Sequence, residues 1–137
     1  MDKDIFSVEQ LIEREVRPLE VDLESYAHRE GPKLYRGASI AKREGERLVL
    51  KFPFYRKRLF RKTLMLEVTF VLYRRGKTPA PQQRIFGDFE LTRNGVIIEM
   101  APELLARPSL RAVIANWFYH RRFSDIKLEE KAIGTAA

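Results

Sequence analysis

Residues 64–73 carry the clearest alternation of apolar and mixed positions in the sequence. One face of this stretch is entirely apolar and holds Leu64, Leu66, Val68, Phe70 and Leu72. The other face mixes apolar, acidic and hydroxyl side chains. A period of two residues is that of a β-strand, because successive side chains point to opposite sides of the sheet. We therefore predict a central strand whose apolar face packs on the hydrophobic core.

Four shorter stretches around this strand carry weaker strand patterns. They cover residues 34–41, 47–54, 84–92 and 96–100. A turn at residues 43–46 predicts that the first two form a hairpin. Asn94-Gly95 predicts a tight hairpin between the last two, because both residues tolerate positive φ. Pro53 predicts the end or the edge of a strand, since proline cannot donate a hydrogen bond to the ladder.

Helical periodicity marks the N-terminal segment. Ser7 and Gln10 have the spacing of a capping box, and the apolar residues that follow recur at helical intervals. We expect Pro18 to end or kink this helix, because proline removes an intrahelical hydrogen bond. The pattern of residues 19–27 fits both a strand and a helix. The helix is slightly favoured because no glycine or β-branched cluster bounds a strand there.

The C-terminal segment also shows helical patterns. A short helix over residues 103–106 is followed by a longer one over residues 109–123, which Ser109 can cap. Ser124 or Asp125 can cap a last short helix near the C-terminus. The second half of the chain therefore changes from strands to helices.

These elements predict a single α+β domain of residues 1–137. A helical segment covers residues 7–30, an antiparallel sheet of about five strands covers residues 34–100, and helices occupy residues 102–133. The N- and C-terminal helices are expected to pack on the sheet. The apolar faces predict a shared core that contains Leu48, Leu50, Leu66, Val68, Phe70, Ile97, Val113, Ile114 and Trp117.

Composition narrows the class of protein. The 137 residues are 45% hydrophobic and 33% charged, which is typical of a folded soluble protein rather than a disordered one. No apolar run approaches the roughly 18 residues that a membrane span needs, and the first residues lack the apolar core of a signal peptide. The absence of cysteine excludes disulfides and thiolate metal sites. We expect a cytoplasmic protein without a membrane partner.

The net charge of +7 is concentrated in one part of the chain. Residues 47–87 hold eleven Lys or Arg and one acidic residue, a balance of +10. In contrast, acidic residues are in excess by three in residues 1–46, and residues 88–137 are neutral overall. Such segregation favours a polyanionic partner, or an acidic segment of the same chain, over a general effect on solubility.

Aromatic residues are interleaved with the basic ones just before the central strand. Phosphates attract cations and unpaired bases stack on flat rings, so this combination is typical of nucleic-acid binding. The candidate binding residues are Tyr55, Arg56, Lys57, Arg58, Arg61, Lys62, Arg74, Arg75 and Lys77. The alternative is a solvated loop whose aromatics point into the core and whose arginines pair with acids of the first helix.

Four acidic residues on predicted strands raise the question of metal-dependent chemistry. They are Glu67, Asp88, Glu90 and Glu99. Acids on adjacent strands hold divalent cations in nucleases, where a lysine lies nearby. Asp88 and Glu90 share a strand face, but no Glu-x-Lys follows them, and the alternation of a solvent-facing strand explains them better. With His28 and His120 as the only histidines, we expect no zinc, no cofactor and no catalytic residue.

Residues 116–120 read Asn-Trp-Phe-Tyr-His on an apolar helix that follows a strand pair and a proline-marked linker. In this layout, residues 84–123 resemble the core of SprT-like zincin metallopeptidases, whose helix carries His-Glu-x-x-His with two zinc ligands and a general base. Only His120 matches, because Asn116 and Trp117 occupy the first ligand and base positions. The resemblance implies a scaffold that has lost its metal. The alternative is a packing helix with His120 near the surface.

These observations favour a non-enzymatic nucleic-acid-binding protein with a basic and aromatic face. Binding is expected to depend mainly on phosphates and weakly on sequence, and DNA and RNA are not distinguished. The alternative is a protein-interaction or assembly module. One form of it is a homo-oligomer in which the basic face meets the acidic N-terminal segment of a neighbouring copy.

Residue types that are prone to thermal damage are scarce in the chain. There are two Asn, three Gln and no Cys, against many Arg and Glu. This composition resembles that of small uncharacterised proteins from hyperthermophilic archaea and their viruses. The resemblance implies resistance to heat and, for a viral protein, a location in the host cytoplasm.

We expect a melting temperature well above the range of about 45–65 °C that is common for mesophilic domains. The physical basis is the abundance of charged side chains and the scarcity of thermolabile ones. A thermal scan followed by circular dichroism measures this temperature. Cooperative unfolding within the mesophilic range would remove the argument from composition.

Overall fold

The computed structural model describes residues 3–77, 83–120 and 126–134. It confirms the α+β class. The elements follow in the order α1 Lys3–Arg29, β1 Tyr35–Arg36, β2 Ile40–Glu44, β3 Arg47–Arg58, β4 Arg61–Arg74, β5 Gln83–Phe86, β6 Phe89–Met100, α2 Pro102–Leu105, α3 Pro108–His120 and β7 Leu128–Ala132. Within these residues, no helix has both the length and the apolar character that crossing a membrane requires.

The strands form one mixed sheet in which β3, β4 and β6 are the long central strands. Each outer row consists of two short strands placed end to end. β1 and β2 pair with different halves of β3, while β5 and β7 pair with different halves of β6. The β6–β7 pair is parallel and the other pairs are antiparallel. The prediction of about five antiparallel strands therefore missed two features. Each outer side of the sheet is divided between two short strands, and β7 is parallel to β6.

The helices and one face of the sheet enclose a single hydrophobic core. The side chains of α1 and α3 join those of β3, β4 and β6 in one buried cluster. Trp117 connects the two helices, because its indole N–H donates a hydrogen bond of 2.7 Å to the carbonyl of Glu15. The predicted core is confirmed except at two positions. Val113 is partly buried against the cluster, and Ile97 lies on the opposite face, since Val96 and Ile98 point inwards.

α1 runs without a break through Pro18, so the predicted end or kink at this proline is wrong. The buried residues of the helix keep helical spacing on both sides of the proline; they are Val8, Ile12, Val16, Leu19, Leu23 and Tyr26. Their combined burial outweighs the roughly 3 kcal/mol that an interior proline costs. Ser7 lies inside the helix rather than at its cap, and the preference for helix over residues 19–27 is confirmed.

The predicted hairpin at Asn94-Gly95 is also wrong, because β6 continues through both residues. The turn lies earlier, at Gly87-Asp88, where Gly87 has a φ of 61°. Leu72 pairs with Leu91 and Phe70 pairs with Val96, so residues 92–95 form a wide bulge in β6. A Cβ atom on Gly95 would lie 2.7 Å from the backbone oxygen of Val71. The glycine is therefore required by close packing and not by a positive φ.

Pro53 lies inside β3 and not at a strand end. Its carbonyl accepts a hydrogen bond of 2.9 Å from the N–H of Gly37, in the gap between β1 and β2. The N and C=O of one residue point to the same side of a strand, so the missing donor of Pro53 faces this gap. The gap also interrupts the single strand that was predicted over residues 34–41.

The predicted last helix is replaced by the strand β7. This strand pairs with residues Val96 to Met100 along β6, where it covers an edge that would otherwise expose unpaired backbone groups. The segment in which apolar residues have helical spacing is too short for a helix to outweigh this strand pairing. The proposed caps, Ser124 and Asp125, lie outside the described residues, as does the end of the helix predicted over residues 109–123.

We expect Gly95→Ala to lower the free energy of unfolding by about 1–3 kcal/mol, the usual cost of overpacking. The added methyl group would meet the Val71 carbonyl and the Leu91 side chain, each at 2.7 Å. A urea titration followed by circular dichroism measures the change. Asn94→Ala is the control, because its exposed side chain leaves this contact unchanged. Equal midpoints for Gly95→Ala and the parent would show that the close approach is absent.

Candidate nucleic-acid interface

A two-stranded ribbon extends beyond the edge of the sheet at one end of the β3–β4 hairpin. β3 and β4 pair up to Arg58 opposite Arg61, but the pairing of β6 with β4 begins only at Leu66, and β1 reaches no further than Tyr55 on β3. Among the described residues, no strand lies beside residues 56–63, which we call the arm, on either side. With about 3.3 Å per residue, the arm extends roughly 10 Å beyond the sheet.

The register of the arm gives it two basic faces. Lys57 lies opposite Lys62, and Arg58 lies opposite Arg61. Directly opposed residues share a face and successive residues alternate, so one face carries the lysines and the other the arginines. Like charges in directly opposed positions destabilise a strand pair. The pairing of the arm thus holds together side chains that repel one another, and an anion would relieve this repulsion.

Two tyrosines at the base of the arm contact its lysines. The Lys57 ammonium lies 4.6 Å from the centre of the Tyr35 ring, and the Lys62 ammonium lies 4.4 Å from that of Tyr55. Gly37 packs closely against Tyr55, because a Cβ atom there would lie 2.5 Å from the ring. The predicted stacking residue Tyr55 is therefore half-buried and covered by a cation, and a base can stack on it only after Lys62 moves away.

The tip of the arm is apolar and fully exposed. Leu59 and Phe60 form the two-residue turn, and the Leu59 side chain is 99% exposed. Leu59 has a φ of 52°, while Phe60 has no positive φ. A positive φ at the first turn position alone is typical of a type II′ turn, where glycine predominates. Sequence reasoning missed this tip, although the mirrored order Lys57-Arg58 and Arg61-Lys62 around two apolar residues is a recognisable signal.

The remaining predicted binding residues are divided between the two ends of the sheet. Arg56 lies at the base of the arm and pairs with Glu103 at 3.0 Å. The other cluster, Arg74, Arg75 and Lys77, lies at the far end of β4, where Arg74 pairs with Glu46 at 3.5 Å. Because β4 has 14 residues, the two clusters are separated by roughly 45 Å of strand. They do not form one continuous patch.

The acids of the first helix are used elsewhere than at the arm. Glu13 and Glu20 both pair with Arg36, and Glu9 accepts a hydrogen bond of 2.6 Å from the Ser39 hydroxyl. Arg36 is shielded from solvent, since its side chain is only 13% exposed. In the part of the chain that the structure describes, no carboxylate pairs with a basic residue of the arm other than Arg56. The alternative was a loop whose aromatic residues point into the core and whose arginines pair with acids of the first helix. Its first part is correct for Phe52 and Phe54, which point into the core.

Two of the four acidic residues considered above, Glu67 and Glu99, lie on the sheet face away from the helices. Glu67 is directly opposite Glu99, and Lys51 approaches Glu67 at 3.7 Å. Glu90 is buried opposite Tyr73, while Asp88 lies in the turn between β5 and β6. Among the described residues, no group of three or more His, Asp or Glu side chains could hold a metal ion.

The positions that resemble a zincin helix have separate environments on α3. Trp117 is buried in the core, where its indole bonds to α1. Asn116 is exposed and lines a pocket of about 290 Å³ between α1 and α3, together with Asp22, Ser25, Arg29 and Val113. The side chain of His120 lies outside the described part of the structure. Trp117 thus has a packing role.

No family model matches the chain, and neither the curated proteins nor the solved structures include a significant match.

We expect Leu59→Asn to raise the free energy of unfolding by up to about 1 kcal/mol. An ordinary side chain in a left-handed conformation costs about 1–2 kcal/mol, and asparagine tolerates this conformation better than leucine. A urea titration measures the change. Phe60→Asn is the control, because Phe60 has no positive φ to relieve. A clear loss of stability in Leu59→Asn alone would mean that Leu59 makes contacts within the fold.

Proposed function

We propose that this chain is a non-enzymatic nucleic-acid-binding protein and that the arm is its principal binding element. The observation that carries the proposal is the set of four basic side chains Lys57, Arg58, Arg61 and Lys62. They cover both faces of a projecting ribbon and have no carboxylate partner among the described residues. The proposal includes a cytoplasmic location, where nucleic acid is accessible.

The shape of the arm suits a groove between two phosphate backbones. A two-stranded ribbon can lie in the major or the minor groove of duplex DNA, and cations on both of its faces would meet phosphates on both sides. Each neutralised phosphate releases condensed counterions, which supplies most of the affinity of non-specific binding. Binding would therefore depend strongly on salt and weakly on sequence. The exposed residues Arg75 and Lys77 at the far end of β4 would add a second, independent contact.

A protein-interaction role is the second candidate, and the outer face of the sheet supports it. Ile40 is 51% exposed, and Val71 and Ile97 are half-buried on this face. These three side chains belong neither to the core cluster nor to the side chains packed against it. A second copy of the chain could cover them, which would make the protein a homo-oligomer.

We expect the double variant Arg58→Ala/Arg61→Ala to bind DNA and RNA of many sequences more weakly. The slope of log affinity against log salt should flatten by about 0.9 for each duplex phosphate contact that is lost. Fluorescence anisotropy with labelled duplexes and single strands, repeated at several salt concentrations, measures both effects. The parent should bind in the micromolar range at low salt.

The matched control is Arg14→Ala/Arg17→Ala, which removes the same charge from the exposed side of α1. It should leave the salt slope unchanged, because these residues belong to α1 and not to the arm. Equal weakening by both double variants would show that net charge and not the arm determines binding. If the parent binds no nucleic acid at tens of micromolar protein and low salt, the proposed function is wrong and the interaction module is favoured.

A further inference from the structure

We infer that Leu59 and Phe60 form a wedge that inserts between two base pairs of B-form DNA and bends the duplex. This inference rests on the proposed function and names its substrate class and the mode of engagement. Apolar side chains that enter a base step unstack it and kink the duplex. The arm would supply an apolar tip that enters the base step, and cations that hold this tip against the phosphates.

The folded chain gains nothing from the two apolar residues at the tip. Leu59 is 99% exposed, and Phe60 is fully exposed as well. Leu59 also occupies a left-handed conformation that disfavours a leucine side chain. A turn selected for stability would carry glycine or asparagine here. The residue types at the tip are therefore explained by a contact outside the chain.

The charges of the arm are placed where a wedge requires them. Arg58 and Arg61 are adjacent to the tip, and Lys57 and Lys62 follow one residue behind. When the tip enters a base step, these cations lie at the level of the flanking phosphates. The four cations would thus supply the binding energy that offsets the cost of unstacking.

The same geometry favours a duplex over a single strand. Stacking of unpaired bases needs free ring faces along the binding surface. Tyr55 is covered by Lys62, and Tyr35 lies between Lys33 and Lys57, whose ammonium groups are 5.2 Å and 4.6 Å from its ring centre. Phe60 is the arm's one aromatic residue, and it lies fully exposed at the tip. A single ring at a tip is better suited to insertion between two stacked base pairs than to stacking against a row of unpaired bases.

B-form DNA fits the arm better than the other polyanionic surfaces. The major groove of double-stranded RNA is too deep and narrow for side chains to read, and its minor groove is shallow. Attachment to an anionic membrane increases with the apolar area that enters the lipid, so two side chains give weak attachment. A base step, in contrast, is filled by one or two side chains. Flexible pyrimidine–purine steps should be preferred, because they are the easiest to kink.

The test compares DNA bending by the parent and by the double variant Leu59→Asn/Phe60→Ser. A duplex of about 30 base pairs with central TA steps, labelled at both ends for energy transfer, reports the bend. The variant should keep its affinity within about threefold, and its salt slope should be unchanged, because the phosphate contacts remain. The energy-transfer change should fall by at least about half. The substitution at Leu59 is compatible with the turn, and a urea titration verifies folding.

Ile85→Ser is the matched control, because it removes an apolar side chain that is 52% exposed and lies away from the arm. It should bend DNA as the parent does. The wedge is overturned, with the proposed function intact, if the parent binds duplexes without bending them or if the double variant bends them equally. It is also overturned if the parent prefers vesicles of phosphatidylserine and phosphatidylcholine and the double variant loses them. Failure of the parent to bind any nucleic acid overturns the proposed function itself.

Discussion

The antiparallel pairing of β3 with β4 is the interaction on which the rest of the structure depends. It extends over twelve pairs of residues, from Arg47 opposite Tyr73 to Arg58 opposite Arg61. The first nine pairs lie inside the sheet and provide the strand pair on which the helices pack. The last three pairs leave the sheet and form the arm. An isolated hairpin is only marginally stable in water, so the arm depends on the core for its structure.

The side chains that oppose one another across the β3–β4 pair are favourable in the core and unfavourable in the arm. Inside the sheet, Leu50 lies opposite Phe70 and Phe52 opposite Val68, and all four side chains are buried. In the arm, lysine is opposed to lysine and arginine to arginine, while the turn holds a leucine with a positive φ. Natural chains depart from locally favourable choices mainly at functional sites, and other parts of the fold compensate. The concentration of three such departures in eight residues supports the proposal that the arm is the functional part of the hairpin.

The sequence predicted those parts of the fold that one periodicity determines. The alternation around Phe70 located β4, and it located the buried face correctly from Leu66 to Leu72, because one strand with an apolar face allows only one phase. Leu64 was assigned to the same face, but the extra residue Met65 shifts it out of phase. Errors arose where tertiary packing overrode a local signal. Burial on both sides of Pro18 kept α1 continuous, the open edge of β6 drew β7 into the sheet, and the packing around Gly95 required a bulge where the local pattern predicted a turn. In each case the packing partner belongs to another part of the fold, so it cannot be inferred from the local sequence.

The residue types of the candidate site could be predicted from the sequence. Its geometry could not, because that geometry depends on a single bulge. Phe54 pairs with Leu66, but Tyr55 pairs with Leu64, so Met65 is an extra residue in β4. Met65 and Leu66 are both buried as a result. A bulge increases the local twist and changes the direction of the strands beyond it. Without the extra residue, each β4 residue of the arm would face a different partner and the turn would not fall on Leu59 and Phe60. The core therefore sets, through Met65, which two residues stand at the tip.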